Sequence, residues 1–190
     1  MLDLEPVANR VADLVRHLSD DDLTRPTPCT DMNVAGLLDH LLGLTREFRD
    51  AAAKVNGNGT PSASAEQLDP EWRTLLPHRL DALAAAWKDP AAWEGTATAG
   101  GVTMPADVMG SVALNELVLH GWDLARSTGQ DFECDDASVR ASFEFTEAMS
   151  VPGEEAGREG LFGPVVVVPE NAPTFERALG YSGRDPHWAP

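Results

Sequence analysis

The chain has 190 residues, 43% hydrophobic and 24% charged, enough for one folded domain with a substantial core. Its 31 acids against 14 Lys plus Arg give a formal charge of −17, which argues against a nucleic-acid partner and against an anionic membrane surface. With six Phe, five Trp and one Tyr, the chain favours helices over a β-sandwich.

Residues 4–18 carry Leu4, Val7, Val11, Leu14, Val15 and Leu18, the i, i+3, i+4 spacing of an amphipathic helix. The same N-terminus, "MLDLEPVANRVADLV", lacks the basic start and unbroken apolar core of a signal peptide. No apolar run approaches the roughly 20 residues of a membrane helix. With two cysteines outside any CxxC pair, the expectation is a cytoplasmic protein with reduced thiols. "RPTPCTDMN" breaks the first helix, and Asn33 offers an N-cap for the next. That second helix is expected over about 34–55, burying Val34, Leu37, Leu38, Leu41, Leu42, Leu44 and Phe48.

"NGNGTPSASAEQ" reads as a surface loop. A third helix is expected over about 70–87, with Trp72, Leu75, Leu76, Leu80, Leu83 and Trp87 inward. Gly100-Gly101, set between short Thr- and Val-containing stretches, suggests a small hairpin or an extended crossover. The fourth helix starts near Pro105 and reaches about Ser127. It is apolar almost all round, as a helix inside a bundle must be. A fifth is expected over 136–150 through Val139, Phe143, Phe145 and Met149. "LFGPVVVVPENAP" reads as extended, and "TFERALGY" as a final turn or two of helix. The expected fold class is all-α: a four-helix bundle over about 1–130, then an additional helix and tail over 131–190, in a single domain.

Glu116 and His120 lie four apart in "LNELVLHGWDL", on one stripe of the fourth helix. His40 sits in the apolar pattern of the second helix, one turn from Gly36 and from Gly43. Small neighbours leave room for another helix or a ligand. Two imidazoles and a carboxylate from two packed helices suit zinc with an open fourth position, and equally ferrous iron or nickel. The plainer reading is a hydrogen-bonded Glu–His pair at a helix edge. Burial favours the metal, because a lone carboxylate in an apolar bundle costs several kcal/mol.

Asp39, Asn115 and Asp123 flank the three residues and are expected to support them or to face solvent. His17 and His187 read as surface residues, and His78 as half-buried. Cys29 precedes a helix N-terminus that could lower its pKa, or is simply a small buried hydrophobe. Cys134 lies among acids that would raise its pKa.

"TPCTDMNVAGLLDHLLGL" resembles the second-helix signature of the DinB-like metal-binding bundles. "NELVLHGWDLARSTGQ" is similar to a later signature of their actinobacterial branch, related to the N-terminal domain of mycothiol-dependent maleylpyruvate isomerase. The tail "GLFGPVVVVPENAP…LGYSGRDPHW" resembles the end of a group of short members. The resemblance implies a bundle with a crossover before the last long helix. It implies a divalent metal, commonly zinc, on His40, Glu116 and His120, with mycothiol as a thiol cofactor. The isomerase it resembles has a further C-terminal domain, whereas about 70 residues follow His120 here.

Three functions remain open on these residues. A thiol-dependent transferase or isomerase would take a small-molecule thiol and an electrophilic substrate. A hydrolase would activate water, with Asp39 or Asp123 as base. A non-enzymatic bundle would hold the ion for structure or sensing.

Overall fold

A computed structural model describes residues 1–55, 62–153, 158 and 161–190. The chain is mostly helical, with one small sheet. Its elements are α1 (Glu5–Arg16), α2 (Val34–Ala52), α3 (Trp72–Ala86), β1 (Thr96–Ala99), β2 (Val102–Pro105), α4 (Ala106–Thr128), α5 (Asp136–Ala148) and α6 (Thr174–Tyr181). The loop expected over 56–67 begins outside the described residues. Its described end forms a short 3-10 turn at Ala65–Gln67.

Each helix forms where the spacing places it. The Asn33 side chain accepts the Gly36 N–H at 2.9 Å and caps α2. Gly129 closes α4 in the left-handed conformation, φ 69°. α1 packs against α3 and α4, and α2 packs against the same two. The core they enclose runs from Leu4 through Leu37, Leu41, Leu76, Leu80 and Leu83 to Leu114 and Leu117. The residues expected inward on α2 are all buried, and those on α3 are buried except Leu75, which is partly exposed. α4, expected to be covered all round inside the bundle, is not: Val108 is exposed.

β1 and β2 pair antiparallel with Ala99 opposite Val102, so Gly100 and Gly101 form the turn, both at positive φ. The hairpin lies in the connection before α4, and β1 packs on α2 and α4. The extended run after Leu161 joins no sheet among the described residues. Val166 N–H ties it to Gly180 O at 2.9 Å.

α5 departs from expectation. It turns Ser138, Ser142 and Thr146 into the protein, and Val139, Phe143, Phe145 and Met149 are only half-buried. Small hydroxyl side chains let it approach α4 closely, and Ser142 Oγ donates to Asn115 Oδ1 at 2.7 Å. The aromatics face the tail: Phe143 meets Tyr181, and Phe145 meets Phe162.

The tail is fastened to the outer face of α4. Leu119, Trp122 and Leu179 form a second buried cluster, flanked by Phe132, Phe162, Phe175 and Trp188. Gly183, at φ 84°, rests on the backbone of Gly163, where an added Cβ would come within 2.8 Å. No helix among the described residues is long and apolar enough to cross a membrane.

Candidate metal centre

α2 and α4 lie side by side, and their facing stripes decide what meets. On α2 the stripe reads Gly36, His40, Gly43, Glu47; on α4 it reads Val112, Glu116, His120, Asp123. His40 Nε2 stands 3.5 Å from Glu116 Oε2, and His120 Nε2 stands 3.1 Å from the same oxygen. The two imidazoles meet edge to face, centroids 4.8 Å apart. One ligand atom from each of the three residues lies within 4.8 Å of the others. Donors about 2.1 Å from a tetrahedral ion stand about 3.4 Å apart. The two measured separations match that edge, and two nitrogens with one carboxylate oxygen suit a divalent ion. This set can therefore hold one.

Exposure falls along the set: the His40 side chain is 34% exposed, Glu116 17% and His120 8%. The cluster thus opens on the His40 side. There it meets a cleft of about 810 Å³ whose wall includes Asp39, Gly43, Arg46, Arg79, Met104 and Val112. Gly43 leaves the space that the sequence expected, whereas Gly36 abuts Met32 and Asn33. Arg79 donates to Leu42 O at 2.7 Å, and burial and then Arg46 hold its pKa below the ordinary value. Asp39 Oδ2 accepts the Ser64 N–H at 3.0 Å at the cleft edge.

Behind His120 the site is closed. His120 Nδ1 lies 2.9 Å from Asp123 Oδ2. Asp123 is fully buried and is gripped by Arg184 through two bonds, Nε to Oδ1 at 2.8 Å and Nη2 to Oδ2 at 2.7 Å. Burial works to lower the His120 pKa, but hydrogen bonding to Asp123 and Glu116 overcomes it and raises the imidazole to about 9. Burial works to raise the pKa of Glu116; the two histidines outweigh it and hold the carboxyl well below its usual range. The Arg184 guanidinium likewise overcomes burial at Asp123 and lowers its pKa.

Cys29 lies against His120 and Asp123. Burial, followed by Asp123, pushes its thiol up to about 11, which favours the small buried hydrophobe over a thiol lowered by the helix N-terminus. Cys134 rises to about 12, through burial before its acidic neighbour Asp135. His17 is exposed against Asp13 O, and His187 is exposed. His78, expected half-buried, is exposed as well. Asn115 neither supports the three residues nor faces solvent; it is buried toward α5. Asp123 faces no cleft and both its oxygens are engaged, which removes it as a base for water. Sequence reading missed Arg184. The one signal pointing to it is a buried aspartate beside a histidine, which requires a cation from somewhere.

Residues 4–125 match the family model described as the mycothiol maleylpyruvate isomerase N-terminal domain. No curated protein and no solved structure gives a significant match. The matched stretch covers well over half of the chain and contains His40, Glu116 and His120. The chain belongs to the mycothiol maleylpyruvate isomerase N-terminal domain family.

Proposed function

We propose that this protein adopts the DinB-like four-helix bundle, with a crossover before α4, and holds one divalent metal, zinc, on His40, Glu116 and His120. In this reading it is a metal-dependent transferase or isomerase acting on an electrophile with a low-molecular-weight thiol of the mycothiol type. The carrying observation is the convergence of the two Nε2 atoms on Glu116 Oε2 at the inner end of an open cleft. The zinc would supply Lewis acidity that favours a thiolate over a thiol at neutral pH.

The protein's own residues do the rest. His40, Glu116 and His120 leave one side of the set facing the cleft. Asp123 fixes which His120 nitrogen points there. Met104, Met109 and Val112 line the cleft and give an electrophile an apolar wall to rest on. Both cysteines are kept as neutral thiols, so the sulfur nucleophile would come from outside the chain.

The test is elemental analysis of the purified protein with calorimetry of mycothiol binding. We expect one equivalent of metal, lost in His120→Ala and in Glu116→Ala, and mycothiol binding to the zinc form but not to the stripped form. Unchanged metal content in those variants would sink the site. A zinc form that ignores mycothiol would sink the thiol reading alone.

A further inference from the structure

The ligand set is held from behind by a residue outside the family-matched stretch. We infer that Arg184 is a positioning residue for the metal centre, acting through Asp123 on His120; this rests on the metal reading given above. The chain of contacts is short and closed. Arg184 Nε and Nη2 each meet one oxygen of Asp123, and Asp123 Oδ2 also meets His120 Nδ1 at 2.9 Å. Asp123 is 0% exposed, His120 7% and Arg184 8%, so none of the three can exchange its partner for water without the tail lifting.

The planar fork sets the plane of the carboxylate. The carboxylate in turn sets the rotation of the ring, and Nε2 is left facing Glu116. Asp123 alone could swing about its own side chain; held on both oxygens, it cannot.

The tail is built to deliver this fork. Leu179, near the end of α6 and five residues before Arg184, is buried against Leu119 and Trp122. Arg184 N–H donates to Leu179 O at 2.9 Å, and Arg184 Nη1 reaches Ser182 Oγ at 3.4 Å. Gly183 supplies the positive φ and the close passage over Gly163 that place the next residue. Beyond the fork, the Trp188 carbonyl accepts from Arg126 of α4. The tail is thus anchored to α4 on both sides of Arg184.

The experiment measures zinc affinity of the full chain by competition with a chromophoric chelator. Wild type is compared with Arg184→Met, Arg184→Lys, Asp123→Asn and the Asp123→Asn/Arg184→Met double variant. Partners of metal-bound histidines typically change affinity by about 10- to 100-fold. Arg184→Met and Asp123→Asn should each weaken zinc at least tenfold by that standard. The double variant should be no weaker than the worse single one, because both act through one ring. Arg184→Lys should recover part of the loss.

A second readout is the ¹⁵N spectrum of the zinc-loaded protein. The His120 Nδ1–H should be slow to exchange in wild type and fast in Arg184→Met. A purely structural arginine would lower the melting temperature and leave both readouts unmoved, and that result overturns the inference. Losses that add in the double variant overturn it too. If Arg184→Met does not fold, wild-type affinity in Arg184→Lys and Asp123→Asn overturns it. A wild type that holds no zinc overturns the metal reading first and this inference with it. A wild type that holds zinc, beside an unaffected Arg184→Met, overturns this inference alone.

Discussion

His120 sits in a ring of polar and titratable groups. Glu116 and His40 face its Nε2, Asp123 faces its Nδ1 with Arg184 behind, and the Cys29 thiol lies alongside. In the metal-free protein its folded pKa of about 9 lies above its ordinary 6.5. A raised imidazole pKa contributes stability that is fully present below about pH 6.5 and is lost as pH climbs through 9. The melting temperature of stripped protein should therefore fall across that window, and His120→Gln should flatten the fall. On the proposed metal reading zinc would take the place of the proton, so the rise in melting temperature on adding zinc should be larger at pH 8.5 than at pH 6.5. Scanning fluorimetry across pH, with and without zinc, reads both effects; a stripped protein that gains stability toward pH 9 would contradict the assignment. The cluster of His40, Glu116 and His120 was legible in the sequence because apolar helices seldom carry an acid and two imidazoles without a reason. Arg184 was not, because 61 residues separate it from Asp123 and nothing local marks the pairing.

α4 packs against α1, α2, α5 and the hairpin, and its glycines show how tightly. An added Cβ at Gly110 would stand 2.5 Å from Trp93 Cζ3 and 2.9 Å from Trp87 Cζ3. Neither indole is free to yield. Trp87 Nε1 donates to Phe48 O at 3.1 Å, and Trp93 Nε1 donates to Trp87 O at 2.8 Å. Gly110→Ala should then cost about 1–3 kcal/mol, the usual range for overpacking, as a lower urea midpoint at unchanged slope. The helices α1 to α3 were readable because each has an apolar stripe to bury, and α4 because it is apolar almost all round. α5 was misread because its inward face is Ser138, Ser142 and Thr146, chosen for closeness and hydrogen bonding, while its aromatics wait for the tail. Hydrophobic spacing finds the apolar side of a helix; it does not say which neighbour lies there. The Gly100-Gly101 hairpin was legible for the opposite reason, since positive φ at a turn selects the residue type directly.

At the scale of the whole molecule, a net formal charge of −17 on 190 residues sets like charges repelling one another. Isolated surface ion pairs such as Lys88–Glu5 and Arg73–Asp20 offset little of this. Raising NaCl from about 0.05 to about 0.5 M shortens the Debye length from roughly 14 to roughly 4 Å and should raise the melting temperature by a few degrees. A fall on adding salt would mean that attractive pairs outweigh the repulsion. The division of labour along the chain also bears on how such a domain can be reused. Residues 4–125 contain His40, Glu116, His120 and Asp123, and the guanidinium that pairs with Asp123 comes from the closing segment. If the three hold a metal as proposed, that centre is not a portable cassette. Grafting the matched stretch onto another protein would transplant the ligands and leave their brace behind, and a host would have to grow a cation of its own against Asp123.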